Sequence, residues 1–526
     1  MAGMSQLFRQ LNLNCGCSLG GLLADCSLGN QPDSRANQFP LNASRPLYEL
    51  GSLVPLHVAG QEDAPTISEL YELDPKPLGR GSYGEVYGAT HKKTGARRAV
   101  KTVDKAIVSK TKAGFWRREL DILRRIDHPN IVRLYEAFED NGAVYLVLEL
   151  CGGGDLLERV AAPTDSVPEK EAAMLLLQIL GGIQHLHLHG IVHRDIKPEN
   201  FLFTRREPDR EPMPPVVAPM KLIDFGLSRR LSFATGVLMT PKIGTAEYMA
   251  PEAVAGWVDE SQADRADMWS VGVVLHTMLT GHFPSPRLAK EPPDEYLSTP
   301  YWSRFSSPCK HLLGRLLHFN SLHRITATAA LKHPWLAPMA TAEDDALCDG
   351  IPEAIITFST FPGLRRLVLV AAAREVDDRD IYTIRKLFAR LELECEGVLT
   401  RPALEGPAKL GGTLGAVALE LLSAFQSVDT DGSGTIDWTE LIAVALCKNG
   451  APVRAASSGS DGDSTYEGTT PGVDMAAQED GEEACWRAFE LLNHGNGGVS
   501  CEAPGASSFS GGYLGDRKTA RHWYLM

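Results

Sequence analysis

The chain has 526 residues, 44% of them hydrophobic and 22% charged, with a formal net charge of −14. That length accommodates several domains, and the composition excludes a fibrous or wholly disordered protein. The charge is uneven: residues 1–70 carry −3, residues 71–336 carry +3 and residues 337–526 carry −14. The C-terminal third is therefore unsuited to nucleic acid and suited to cations. Ten cysteines without paired CxxC spacing argue against a disulfide scaffold and give no zinc signature, so a reducing, cytoplasmic setting is expected. No segment offers the ~18 clean apolar residues of a membrane span.

Residues 1–65 lack periodicity and read as a disordered N-terminal extension. Met1–Gln10 has no basic-then-apolar order, so no secretory signal is expected. Position 2 is Ala2, which does not fit N-myristoylation; acylation at Cys15, Cys17 or Cys26 is the route left to a peripheral membrane association. Residues 71–336 alternate strand-like and helix-like segments, with a surface insert expected over Thr204–Met220. Met174–His193 and Ala266–His276 read as buried helices. An amphipathic run, Ile355–Val376, lies in a junction segment spanning 337–380. A helical block follows over 381–447, then a linker over 448–482 and a tail over 483–526.

Leu78-Gly79-Arg80-Gly81-Ser82-Tyr83-Gly84-Glu85-Val86 is a G-x-G-x-x-G-x-V run. Glycines let a backbone approach phosphates that a side chain would block, but one such run alone is a weak signal. A strand-like Ala99-Val100-Lys101 follows, and a compact ammonium there can hold phosphates. A buried lysine needs an anion, and Glu119 stands on a helical run where it can pair with Lys101. Three further strings come in order: His193-Arg194-Asp195-Ile196-Lys197-Pro198-Glu199-Asn200, Asp224-Phe225-Gly226 and Ala250-Pro251-Glu252.

Together these strings resemble the eukaryotic protein kinases over about residues 71–336. The resemblance implies ATP and Mg2+ as cofactors and hydroxyl-bearing protein substrates. It implies that Asp195 orients the attacking hydroxyl and that Lys197 sits beside the transferred phosphate, as in Ser/Thr-directed enzymes. Asn200 and Asp224 would supply oxygen ligands to Mg2+, and Lys101 with Glu119 would form the ion pair of an assembled site. Leu78, Gly79, Gly81, Gly84, Val86, Ala99 and Lys101 would surround the nucleotide. Glu149 and Cys151 would present backbone to adenine behind the gating Leu148, and Asp155 is placed for ribose or a basic substrate residue. Asp267 and Arg324 are expected in supporting roles, Arg324 as the partner of Glu252. Thr235 and Thr240 lie in the activation segment and could carry phosphate.

Asp429-Thr430-Asp431-Gly432-Ser433-Gly434-Thr435-Ile436-Asp437-Trp438-Thr439-Glu440 fits an EF-hand loop. Asp429, Asp431, Ser433, Thr435 (through its carbonyl), Asp437 and Glu440 stand at the Ca2+ ligand positions, with Gly434 at the sharp turn. Glu392–Ala403 repeats the spacing but ends in Ala403, so the bidentate ligand is missing. Asn493–Val499 is a further remnant without acidic ligands.

A kinase, a junction and EF-hands in one chain resemble the calcium-dependent protein kinases of plants and protozoa. The expected fold is α+β: a bilobal protein kinase followed by an all-α EF-hand domain. The resemblance implies that the junction helix partners the EF-hand domain within the chain and holds the kinase off until calcium binds. Four good hands are expected of that family and one is found. A calcium-insensitive Ser/Thr kinase with a structural EF-hand module is the alternative.

Overall fold

In a computed structural model of the chain, the described residues are 54–60, 64–81, 84–106, 114–161, 166–205, 218–231, 244–256, 258–285, 288, 292–340, 350–376 and 381–447. Several expectations fall outside them. These are the acylation candidates Cys15, Cys17 and Cys26, activation-segment Thr235 and Thr240, most of the Thr204–Met220 insert, the linker and the third hand remnant. Among the described residues, no helix is long and apolar enough to cross a membrane.

The first lobe is a sheet of six strands: β1 (Leu56–Val58), β2 (Tyr71–Gly81), β3 (Gly84–His91), β4 (Arg97–Asp104), β5 (Leu134–Glu139) and β6 (Ala143–Leu148). Their order across the sheet is β1-β5-β6-β4-β3-β2. A short helix α1 (Ile67–Leu70) precedes β2, and helix α2 (Gly114–Leu123) links β4 to β5. Val100, Val144, Leu146 and Val147 are fully buried, the aliphatic, mostly β-branched filling that a sheet covered on both faces favours. α2 turns Trp116, Leu120 and Leu123 inward, and Glu119 shares that inward side.

The second lobe is helical. α3 (Leu156–Val160) starts at Asp155, whose carboxylate accepts the Glu158 N–H and so caps the helix. α4 (Glu169–Leu188) buries Leu175, Leu176, Ile179, Leu180 and Ile183 around its centre, where the half-buried Gln178 is hydrogen-bonded, as a helix in the middle of a lobe requires. Strand pairs β7 (Ile191–Val192) with β10 (Arg229–Arg230), and β8 (Phe201–Phe203) with β9 (Met220–Leu222), flank the His193–Asn200 and Asp224–Gly226 segments. Met220 of β9 is core, so the surface insert ends before it. The lobe is completed by α5 (Pro251–Ala255), α6 (Ala263–Thr280), α7 (Pro293–Leu297), α8 (Ser307–Leu316), α9 (Ala327–Leu331) and α10 (Ala337–Ala340).

Arg324 is fully enclosed beneath α5. It donates to both Glu252 carboxylate oxygens, at 2.6 and 3.1 Å, and to the carbonyls of His318 and Arg265. Removing one partner strands a buried charge. Glu252→Ala is expected to lower stability by about 3–5 kcal/mol, read from urea unfolding.

The third region has its own core, built on Phe358, Leu391, Val417, Trp438 and Ile442. Its helices are α11 (Ile351–Thr360), α12 (Gly363–Ala373), α13 (Tyr382–Glu394), α14 (Arg401–Leu404), α15 (Gly412–Ser423), α16 (Phe425–Val428) and α17 (Trp438–Ala445). The amphipathic junction run is two helices rather than one. Pro362 disfavours helical backbone at Phe361, which is extended (φ −74, ψ 145). Both junction helices bury apolar faces in the same core as the hand helices.

The two hand loops are paired back to back. The Ile436 N–H donates to the Leu399 carbonyl at 3.0 Å, and Thr400 bridges Thr435 antiparallel. The Glu392–Ala403 segment is thus joined to the 429–440 loop by a short antiparallel bridge.

Candidate active site and calcium site

The glycine-rich run is the β2–β3 hairpin, with Gly79 opposite Val86 and Gly81 opposite Gly84. A Cβ on Gly84 would lie 1.7 Å from the Thr102 carbonyl oxygen, so only glycine fits where β3 crosses β4. Above Gly79 the space is open, which leaves that backbone accessible to a ligand. Leu78 is exposed at the edge of the hairpin. Ala99 of β4 faces Leu148 of β6 across the ladder, which places a small residue beside the link between the lobes. The Glu149 N–H is taken by the Arg133 carbonyl, and its carboxylate pairs with buried Lys221 at 2.9 Å. Its side chain thus ties the interlobe link to β9, two residues before the Ile223–Asp224 step. Cys151 continues the link ahead of α3.

Lys101 Nζ lies 2.7 Å from Glu119 Oε1 and 2.9 Å from Asp224 Oδ1. Burial opposes its charge, but the two carboxylates outweigh it and hold the ammonium above the ordinary lysine pKa. Asp224 is likewise kept ionised: burial works against its charge, and Lys101 outweighs it. Asp224 has φ +61 and Arg194 has φ +72, two of three non-glycine residues with positive φ among the described ones. Backbone strain of this kind marks sites where geometry is imposed for use.

The Asp195 carboxylate is surrounded by donors. Oδ1 accepts from the Thr245 N–H at 3.1 Å and the Thr245 hydroxyl at 2.9 Å. Oδ2 is 2.9 Å from Lys197 Nζ and 3.2 Å from Asn200 Nδ2. Lys197 also reaches the Thr245 hydroxyl at 3.0 Å. Asn200 gives its amide nitrogen to Asp195, both carboxylate and carbonyl, and this leaves the amide oxygen as the end suited to a hard cation. The structure thus brings Lys101, Glu119, Asp195, Lys197, Asn200 and Asp224 into one cleft between the lobes. Thr245 belongs with them and is absent from the sequence-based set. So is Lys221, a lone strand lysine with no motif around it.

Beneath the His193–Asn200 loop, the Asp267 carboxylate accepts the N–H groups of His193 and Arg194, at 2.9 and 2.8 Å. It is also 2.9 Å from His187 Nε2. Burial raises its pKa, but the His187 hydrogen bond and the backbone donors outweigh burial and place it below the ordinary value. Its ionised form therefore stabilises the fold above the unfolded carboxylate pKa of about 3.9, and that contribution is lost as pH falls through the lower folded value. Asp267→Asn is expected to lose about 1.5–3 kcal/mol at neutral pH. It should also flatten the acid limb of a stability–pH curve measured by denaturant unfolding.

The second hand presents a cation-shaped set of oxygens. Carboxylate oxygens of Asp429, Asp431 and Glu440 lie within 4.8 Å of one another. Gly432 (φ +69) and Gly434 (φ +83) supply the left-handed turns, and the Gly434 N–H donates to Asp429 Oδ2 at 3.0 Å. Thr435 donates its hydroxyl to Asp437. Ser433 turns its hydroxyl toward the Thr435 carbonyl. Asp429 Oδ1 is buried without a hydrogen-bond partner. Burial, together with neighbouring carboxylates, pushes the pKa of Asp437 and of Glu440 far up. An orphaned oxygen among crowded buried carboxylates fits a Ca2+ site.

The hand region is seated on the strip between α2 and β5. Asp127 accepts the Thr439 N–H at 2.6 Å, on the first turn of α17 between ligand positions 437 and 440. Arg133 reaches Thr439 Oγ1 at 3.3 Å, the Arg374 carbonyl at 3.0 Å and Asp127 at 3.4 Å. Arg374 donates to the Leu134 carbonyl at 2.7 Å, and Arg98 pairs with Glu375 at 2.6 Å. Nothing in the sequence marks this strip, because its residue types are ordinary and its partners lie some 240–312 residues away.

A protein kinase domain model matches residues 73–336, the two lobes and cleft just described. The chain is thus a protein kinase. Among curated relatives, calcium-dependent protein kinase 5 of Plasmodium falciparum (isolate 3D7) is 31% identical over 431 residues, covering 80% of this chain and 72% of that protein. Calcium-dependent protein kinase 3 of Plasmodium berghei (strain Anka) is 33% identical over 392 residues, 72% and 67% of the two chains. Calcium-dependent protein kinase 33 of Arabidopsis thaliana is 33% identical over 382 residues, 70% of each. The chain belongs to the calcium-dependent protein kinase family, and its activity is that of a Ser/Thr protein kinase using Mg-ATP.

Proposed function

We propose that the 429–440 loop is the calcium input and that the Asp127–Arg133 strip carries its effect to the cleft. The observation that supports this most strongly is the Thr439–Asp127 contact. It joins the helix turn bearing Glu440 to the segment that follows α2, the helix holding Glu119 against Lys101. A rearrangement of Glu440 and Asp437 around a cation is felt at Thr439 and, through Arg133 and the Glu149 backbone, at the link between the lobes.

In this reading Asp195 holds and orients the substrate hydroxyl, with its own orientation fixed by Thr245, Lys197 and Asn200. Mg-ATP, when bound, supplies the transferable phosphoryl group and part of its charge neutralisation. Lys101 lies where it can hold phosphate oxygens. Asn200 and Asp224 would supply the Mg2+ ligands, and the β2–β3 hairpin would cover the nucleotide. Asp155 serves α3 as its cap and has its second oxygen for a ligand. Glu199 Oε2 is buried and lacks a hydrogen-bond partner, which favours substrates with a basic residue ahead of the target Ser or Thr. The cysteine usage and the substrate class favour the cytoplasm, with acylation of Cys15, Cys17 or Cys26 as the means of any membrane contact. The junction helices share the core of the hands, and they bind that domain as intramolecular partners.

The test is phosphate transfer from labelled ATP to a Ser/Thr peptide library by the full-length protein, with calcium and with chelator. Activity on arginine-containing peptides that rises with calcium supports the proposal. Equal activity in both conditions removes the calcium input and favours the alternative of a structural hand module.

A further inference from the structure

Helix α6 carries one imidazole, His276, among the buried Leu275, Met278 and Leu279, and neither the cleft nor the calcium loop accounts for it. We propose that His276 is a positioning residue for substrate recognition: with Tyr296 it fixes the 282–285 turn so that Phe283 stands at the rim of the cleft and takes an apolar side chain of the protein substrate close to the target Ser or Thr. The proposal rests on the reading that Asp195 orients the substrate hydroxyl.

The first support is the tautomer of His276. The ring is buried against Tyr296 and Trp302, with centroids 5.9 and 5.3 Å from its own. Nδ1 lies 2.9 Å from the His282 carbonyl oxygen. A carbonyl only accepts, so Nδ1 carries the proton and donates. Nε2 of the neutral ring is then an acceptor, and the Tyr296 hydroxyl donates to it at 2.8 Å. Burial pushes the His276 pKa down to about 4 and so keeps the ring neutral. The His282 N–H is held as well, by Thr280 Oγ1 at 3.1 Å. The Tyr296 hydroxyl also receives the Ser285 backbone N–H. Both ends of the turn are therefore fixed. An apolar ring would fill the same space; the imidazole adds a donor to one end of the turn and an acceptor for the tyrosine that holds the other.

The second support is where the turn lies. Phe283 is 40% exposed, and its ring meets Tyr248 edge-on, with centroids 5.3 Å apart. The Tyr248 N–H donates to the Thr245 carbonyl at 3.0 Å, and Thr245 gives its own N–H and hydroxyl to Asp195. Burial and, after it, the nearby Glu199 carboxylate push the Tyr248 pKa up, which places Glu199 beside the same tyrosine. The exposed ring thus continues the surface that begins at Asp195 and Glu199. A peptide with its hydroxyl at Asp195 and a basic residue at Glu199 passes over Phe283. That ring offers no donor or acceptor to a substrate, and an apolar side chain laid on it removes apolar area from water.

Phosphate transfer by the full-length protein, with calcium and Mg-ATP, to Ser peptides carrying an upstream arginine tests this, each flanking position in turn being leucine or alanine. At one position the native protein is expected to prefer leucine by about fivefold in kcat/KM, carried by KM. Phe283→Ser should bring that ratio to about one. His276→Phe keeps a ring and loses both hydrogen bonds, and should cut the ratio to about twofold. His276→Asn, which can keep a donor near His282, should retain more of it than His276→Phe. A general loss of stability slows both peptides alike and does not move the ratio. Asp195→Asn also slows both alike, so a failure of the Asp195 reading shows separately. A ratio near one at every position in the native protein would overturn the proposal, as would a preference that survives Phe283→Ser or His276→Phe. Loss of the arginine preference in Phe283→Ser, with the leucine preference kept, would assign the ring to a basic side chain and overturn the apolar class.

Discussion

Asp195→Asn is expected to lower kcat by on the order of 10²–10⁴ while leaving the protein folded. The substitution keeps the shape of the side chain but removes the charge. In the native site the carboxylate accepts from Thr245 twice, from Asn200 and from Lys197. An amide can keep only part of that set, and its nitrogen would face a donor. Substrate hydroxyl orientation is then lost in the transition state more than in the ground state, so KM should change less than kcat. The control is Thr245→Val, which removes one donor to Asp195 and should reduce kcat by a smaller factor, about tenfold. Steady-state phosphate transfer with both variants measures the two effects. A thermal melt within a few degrees of the native protein shows that the loss is chemical.

Glu440→Gln is expected to weaken calcium binding by about two orders of magnitude and to remove the calcium response of the kinase. Glu440 closes the loop. Its two oxygens now accept from the Thr430 N–H and hydroxyl and from the Asp437 N–H. Burial and the nearby Asp437 and Asp431 raise its pKa far above the usual carboxylate value, a repulsion that a bound cation relieves. The glutamine variant keeps the size and relieves the crowding without calcium, so the protein should be at least as stable in chelator as the native chain. Calorimetry on full-length protein reads the affinity. The native chain should show one site in the range of about 10⁻⁷–10⁻⁵ M. A second site of comparable strength would mean that Ala403 does not disable the first loop.

The catalytic cleft was legible because phosphate chemistry demands fixed residue types at fixed intervals. A lysine on a strand, a carboxylate and an amide five residues apart, and a carboxylate before Phe-Gly have few other reasons to occur together. The second hand was legible for the same reason, since its oxygens must alternate around one cation. Pro362 breaks the amphipathic junction run, and its periodicity on either side hid that break. Thr245 and Lys221 act by position alone, and no spacing rule draws attention to a threonine after a glycine or to one strand lysine. The docking strip was the least visible part. Asp127, His128 and Arg133 have plain roles within a kinase lobe, and their partners at Thr439, Glu392 and Arg374 become neighbours only through the fold.

The measurement that bears most directly on the whole account is a calcium titration of phosphate transfer by the full-length chain, run beside direct calcium binding. A single complete loop coupled to the cleft through Thr439 and Asp127 predicts activation with a Hill coefficient near one. Its midpoint should fall at the affinity of the single site, and the response should be lost in Glu440→Gln. Activation with steep cooperativity, or activity that ignores calcium while the 429–440 loop fills, would contradict it.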